Sequence, residues 1–138
     1  MDIDARGPRF GAAVTTVVLA AALISRSPWI LALQTLAFAL GAAGGVHRSP
    51  YGWVFRTLVR PRVGPPTEFE PPEPPRFAQA VGLVFAGLGL AGFALGPSWL
   101  GLAATGLALA AAFLNAAFGY CLGCEMFLFI RRLTVRPE

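Results

Sequence analysis

Along the chain, long apolar runs alternate with short polar ones. Four runs stand out, at residues 10–25, 29–46, 77–95 and 99–118, and none contains a charged side chain. A helix crossing a hydrocarbon layer of ~30 Å needs about 20 residues. The first run is the shortest of the four, and each of the others is close to that length. The pattern predicts an all-α membrane protein with four transmembrane helices.

Composition agrees with the pattern: 56% of residues are AVILMFWYC, before sixteen glycines are added, which is above the ordinary soluble range. A cleaved signal peptide would explain Arg6 and Arg9 ahead of the first run. However, Ile24-Ser25-Arg26-Ser27 offers no small-x-small cleavage site, and a second apolar run follows directly.

The chain has a net charge of +4 and a pI near 10, values that can indicate nucleic-acid binding. Here the distribution excludes that partner, because every basic residue is an arginine and nearly all of them flank spans. Arg6, Arg9, Arg48, Arg56, Arg60, Arg62, Arg76, Arg131, Arg132 and Arg136 fall on one side of the expected topology, and Arg26 alone falls on the other. Arginine bias in short loops sets orientation, so both termini and the central loop are expected in the cytoplasm. That topology predicts a multi-pass protein of a cytoplasmic (inner) membrane.

The runs also repeat. "GPRFGAAV" at 7–14 resembles "PPRFAQAV" at 74–81, and "SPWILAL" at 27–33 resembles "PSWLGLA" at 97–103. "YGWVFRTLVR" (51–60) and "GYCLGCEMFLFIRR" (119–132) are both aromatic-rich and end in arginine. The expected organisation is a single membrane domain of two tandem hairpins, residues 8–60 and 76–132, with interfacial segments after the second and fourth helices. Parallel repeats of this kind are related by an axis along the membrane normal. Pro-Arg-Phe at each entry reads as an interfacial anchor, with arginine at the headgroups and phenylalanine just inside. Gly82, Gly87, Gly89 and Gly92 either permit close helix approach or merely fill apolar sequence.

Between the hairpins, residues 61–75 hold seven prolines and three glutamates, Glu68, Glu70 and Glu73. So many prolines predict an extended, semi-rigid strap. Its acids could pair with neighbouring arginines.

The candidate chemistry lies in Cys121 and Cys124, the only two thiols. A helix from Trp99 to Arg132 would be ~50 Å long, so a break is expected near Gly119 and Gly123. That puts the cysteines at the cytoplasmic interface, at the start of a new helical turn. Residues at i and i+3 share a face and can close a disulfide. At a helix N-terminus, Cys121 would be the attacking thiol and Cys124 the resolving one. A static structural disulfide does not suit a reducing cytosol. Two inert packing cysteines remain the bland alternative. A metal centre is not expected, since two thiols, His47 and Glu125 come without a second C-x-x-C.

Other polar residues near the pair have two readings each. Glu125 could accept a thiol proton, or pair with Arg131 or Arg132. Asn115, Gln34 and Gln79 could line a site or join helices by hydrogen bonds. His47 could act as a base or be merely solvated.

"PPRFAQAVG", "LNAAFGYCLGCEMFLFIRR" and the N-terminal "PRF" resemble a bacterial membrane family of unknown function that is common in actinobacteria. The resemblance covers almost the whole chain, and the signature N-A-x-F-G-x-C-L-G-C is its most specific part. It implies four spans and marks Arg76, Phe77, Gln79, Asn115, Gly119, Cys121, Gly123 and Cys124 as signature positions. Some members are encoded beside thioredoxin-like or rhodanese-like proteins, which implies a thiol or sulfur theme without an established reaction.

Three functions are therefore expected in order. The first is a thiol–disulfide or persulfide relay, with a thioredoxin-like or rhodanese-like partner or a membrane quinone as acceptor. The second is a small transporter for a sulfur species, and the third a non-catalytic membrane subunit or scaffold. Self-association into a homo-oligomer is left open.

Overall fold

The structure, a computed structural model, describes residues 2–134. In chain order its elements are β1 (Ile3–Asp4), α1 (Arg6–Ser25), α2 (Pro28–Gly44), a 3-10 turn (Val46–Arg48), α3 (Pro50–Val54), a π-helical segment (Phe55–Val59), α4 (Arg60–Val63), β2 (Phe69–Glu70), α5 (Glu73–Leu95), α6 (Ser98–Phe118) and α7 (Leu122–Thr134). The fold is all-α apart from one two-residue bridge, in which Ile3 pairs with Glu70 and Asp4 with Phe69, antiparallel.

Short turns set the two hairpins. Arg26 takes a left-handed conformation (φ 53°) and closes α1. Ser27 then caps α2 through its side chain, accepting the Ile30 N–H at 3.3 Å, with Pro28 in the first turn. The two hairpins pack crosswise: α1 lies along α6, α2 along α5, and α5 along α6.

Close approach between helices depends on small residues. A Cβ on Gly82 would run into Phe38, one on Gly89 into Thr105, and one on Gly92 into the Gly101 backbone. Gly87, by contrast, faces open space. Three of the four glycines flagged in the third apolar run are therefore packing positions.

The buried core is thin and built from Leu19, Ala22, Leu31, Phe38, Ala86 and Ala108. Large apolar side chains point outward instead, with Ile24 85% and Leu95 87% exposed. Such an outward-facing apolar surface belongs in lipid rather than water. Three helices are long and apolar enough to cross a membrane: α1, α5 and α6.

Helix lengths differ from those expected. The first apolar run looked short, but α1 starts four residues earlier, at Arg6, and is 20 residues long. The second run is the short one, because α2 stops at Gly44 and has 17 residues, only ~25 Å at 1.5 Å per residue. Gly45, at φ 92°, ends it.

The Pro-rich strap is also shorter than residues 61–75. Arg60–Val63 completes a helical turn, and Glu73–Pro75 forms the start of α5. Proline is tolerated there because a first-turn N–H has no partner to lose. What remains of the strap is clasped by the N-terminus: besides the β bridge, the Ala5 N–H donates to the Glu68 carbonyl, and Arg6 donates to the Gly64 carbonyl at 2.9 Å.

The ion pairs among the described residues are Arg6–Asp4 (2.9 Å) and Arg60–Asp4 (3.9 Å). None of these involves Glu68, Glu70 or Glu73, which could have paired; instead two arginines share one aspartate. The Arg6 side chain bonded to Asp4 is the main reason its carboxyl lies below the ordinary aspartate range. Glu70 is pushed the other way by burial.

Candidate functional site

At the end of α6, Gly119 adopts φ 70° and its N–H returns to the Asn115 carbonyl at 2.9 Å. This left-handed cap, which glycine accepts without a Cβ penalty, turns the chain out of α6. Three residues later α7 begins. Cys121 stands immediately before it, and the Glu125 N–H donates to the Cys121 carbonyl at 3.0 Å. Cys121 and Cys124 are joined as a disulfide, with Cα atoms 5.2 Å apart, inside the ordinary range. The Cys124 N–H also lies 3.1 Å from Cys121 Sγ, so the first sulfur occupies the capping position of α7. Both cysteines are half-buried.

Gly123 does not break the helix, contrary to expectation. It lies inside α7, where a Cβ would collide with the Cα and Cβ of Ala78. Its role is to let α7 press onto α5, and Phe127 completes that contact by packing on Phe77 with centroids 5.5 Å apart.

The residues flagged as supporting the thiols divide into separate places. Glu125 is exposed on the first turn of α7 and makes no ion pair among the described residues. Asn115 serves the cap through its backbone carbonyl.

Arg76 lies elsewhere, on α5, where Nε and Nη2 donate to the carbonyls of Ala42 and Ala43, each at 2.7 Å. It thereby closes the end of α2. Arg9 does the same for α6, donating to the Ala116 carbonyl at 3.2 Å. A guanidinium at a helix C-terminus satisfies unpaired carbonyls and opposes the negative dipole end. The Pro-Arg-Phe motifs thus hold the two hairpins together. Each arginine caps a helix of the other hairpin, and each phenylalanine packs on the segment that follows a hairpin, Phe10 on Phe55 at 5.8 Å and Phe77 on Phe127.

His47 and Gln79 share a cavity that the cysteines do not line. It measures about 360 Å³ and lies between the start of α1, α3, the π-helical segment and the β bridge. His47 is exposed at its rim, and Gln79 packs on Gly41, where a Cβ would overlap its side chain.

Tyr51 forms one wall of the cavity. Its hydroxyl donates to Gln34 Oε1 at 2.5 Å, and Gln34 Nε2 in turn donates to Thr15 Oγ1 at 3.4 Å. Gln34 and Thr15 are buried, at 1% and 4% exposure, so Gln34 has the helix-to-helix reading. Burial raises the Tyr51 hydroxyl above the ordinary tyrosine range.

Sequence reasoning did not single out Arg9, Tyr51, Arg56 or the cavity. The signal for Arg9 was present, since it holds the same place in its Pro-Arg-Phe as Arg76. Arg56 and Tyr51 are brought to the cavity by a fold-back after α2 that no periodicity announces.

Long apolar helices with large side chains facing outward define an all-α membrane protein. Within that class, the chain belongs to the family described as domain of unknown function (DUF4395), whose match covers residues 3–132. No curated protein and no solved structure matches it.

Proposed function

We propose that the protein is a membrane thiol–disulfide or persulfide relay in which Cys121 attacks and Cys124 resolves. The observation that carries this reading is the pair's position: a disulfide closed across the first turn of α7, with a backbone N–H on the first sulfur. In the reduced state, helix N-terminal amides of this kind favour a thiolate. The Cys121 thiolate attacks a sulfur of a partner disulfide, forming one S–S bond while the partner's bond breaks and its second sulfur leaves as a thiolate. The Cys124 thiolate then attacks Cys121 Sγ and expels the remaining partner thiolate. Two electrons pass to the partner, the pair ends as the disulfide, and the protons released by the two cysteines balance those taken up by the partner's thiolates. The partner is a cytoplasmic thioredoxin-like or rhodanese-like protein.

The membrane setting in this proposal has four spans, with α2 as the short one, in the bacterial inner membrane. Arg9 and Arg76 bring the start of α1, the end of α2, the start of α5 and the end of α6 to one end of the bundle. The clasp adds the N-terminal residues and the strap to that end. This supports a cytoplasmic location for the arginine-rich segments; Arg136 and the last residues of the C-terminus lie outside those described. The matched Arg9/Arg76 caps and Phe10–Phe55/Phe77–Phe127 contacts support a duplicated hairpin.

The test is alkylation and trapping in membranes. After reduction, Cys121 should alkylate faster than Cys124 near neutral pH, and Cys124→Ser should accumulate a mixed disulfide with a thioredoxin-like or rhodanese-like protein. Equal, slow alkylation with no adduct would leave two inert packing cysteines.

A further inference from the structure

We infer that the cavity beside α3 is a binding site for a small amphiphilic anion, separate from the cysteine pair and independent of the relay reading. Its volume, about 360 Å³, lies in the range of small-molecule sites, which combine apolar walls with a few convergent polar groups. The apolar walls are Phe55, Phe69 and Val46, together with the bare backbone of Gly7 and Gly11. Those glycines leave room that side chains would fill.

Charge decides the head of the ligand. Arg56 and Arg60 both line the cavity. Asp4 also lines it, but its carboxylate already accepts from Arg6 and lies 3.9 Å from Arg60. Arg56 has no carboxylate partner among the described residues, and its guanidinium donates only to the His47 carbonyl, at 2.6 Å. Asp2 is the one opposing charge without an ion pair there, and it is exposed at the rim. The balance favours an anionic group at Arg56 with an apolar or aromatic body against Phe55 and Phe69.

The backbone adds a second argument. Phe55 and Arg56, the aromatic wall and the unpaired cation, are the first two residues of the π-helical segment. A π turn is rare and recurs at functional sites, where it re-aims side chains that an α-helix would spread.

A carboxylate on a soluble aromatic compound and the acidic headgroup of a lipid share this chemistry. The experiment uses 6-fluoro-2-naphthoate as probe, followed by fluorine NMR. The full chain is held in phosphatidylcholine nanodiscs, with empty discs of the same lipid correcting for partition. Saturable binding is expected to weaken about tenfold in Arg56→Gln, the loss of one charge-assisted contact. It should disappear in Gly7→Leu, which fills the cavity without altering charge. A Cβ at Gly7 meets Phe55 at an ordinary 3.7 Å, so that variant should fold, and unchanged thermal unfolding checks it. The neutral methyl ester of the probe should bind at least tenfold more weakly.

Binding equal in all three proteins, or an ester as tight as the acid, would overturn the assignment. So would the absence of saturable binding to the wild-type protein. In discs containing phosphatidylglycerol, a further loss of probe affinity beyond that of matched empty discs identifies a lipid headgroup as the competing occupant. An unchanged affinity identifies a soluble anion. Both results support the site and differ only in its source.

Discussion

After α2 the chain runs Ser49-Pro50-Tyr51-Gly52-Trp53-Val54-Phe55, and after α6 it runs Cys121-Leu122-Gly123-Cys124-Glu125-Met126-Phe127. In both, the first residue stands just before a helix with its side chain on a backbone N–H: Ser49 Oγ accepts from Tyr51 at 3.3 Å, and Cys121 Sγ from Cys124 at 3.1 Å. Two residues on, Tyr51 and Gly123 meet matching positions on the entry helices, Gly11 and Ala78. The seventh residue, Phe55 or Phe127, packs on Phe10 or Phe77. The layouts correspond while the chemistry differs. Where the second segment has two sulfurs and a glycine pressed flat on α5, the first has a hydroxyl cap and a tyrosine, and it opens onto a cavity. Under the proposed readings, a duplicated scaffold holds a redox pair at one copy and a ligand pocket at the other.

The largest effect should come from two glycines at close backbone approaches, one in each segment. A Cβ at Gly52 would strike the Val46 carbonyl, and one at Gly123 the Ala78 Cα. Neither obstacle is the end of a flexible side chain, so Gly52→Ala and Gly123→Ala should each cost roughly 1–3 kcal/mol, as overpacking does. Thermal unfolding in detergent measures the loss. A neutral Gly123→Ala would contradict the close seat of α7 on α5 that sets the second segment apart from the first.

The arginine caps should rank next. Arg76 makes two bonds at 2.7 Å and Arg9 one at 3.2 Å. Both are exposed, which limits them to the ordinary helix-terminus contribution, on the order of 0.3–1 kcal/mol. Arg76→Ala should therefore destabilise more than Arg9→Ala in the same unfolding assay, and the reverse order would contradict the capping geometry.

A smaller, sharper contrast concerns the caps themselves. Ser49→Ala should cost ~1 kcal/mol, as N-cap loss usually does. Cys121→Ser installs the first segment's residue in the second and keeps an acceptor at the cap. Its stability should stay within about 0.5 kcal/mol while the disulfide and any relay activity are lost. A large destabilisation would mean that the cysteine pair is structural.

The smallest effect is pH dependence at the clasp. Asp4 has a lowered carboxyl value, so its stabilisation is present above the ordinary aspartate pKa and fades as pH falls below it. Glu70 has a raised value, so the clasp is favoured below the ordinary glutamate pKa and weakens as pH rises through the higher folded value. Glu70→Gln should then tighten the clasp at neutral pH. The Ala5 amide resonance, whose N–H donates to Glu68, reports it. No change in that resonance would show that Glu70 gains as much from its neighbours as burial costs.

How much of this was legible depended on whether a signal was local. The apolar helices were visible because charge-free runs and the glycine and proline at their ends act within a few residues. The cap at Gly119 and the start of α7 were legible for the same reason, and so was the reach between Cys121 and Cys124. Boundaries failed where local rules compete, as when Pro74 and Pro75, read as strap, serve the first turn of α5. The clasp between residues 3–4 and 69–70 could not be read at all, since neither two-residue stretch has strand periodicity. That His47 and Gln79 share a cavity without the thiols is likewise a product of packing between distant elements.

The reciprocal caps have a consequence for synthesis. Because Arg76 belongs to the second hairpin and closes the first hairpin's α2, the carbonyls of Ala42 and Ala43 have no such donor until the ribosome has passed the strap. Hairpin one is therefore made with its exit end unfinished, and finishing it requires the arrival of hairpin two. Arg9, made first, waits for a helix end made almost last. A nascent chain halted before Arg76 should accordingly be cut more readily by protease around residues 42–48 than one halted just beyond α5. Equal cleavage of the two would show that water or lipid headgroups serve those carbonyls as well as the arginine does.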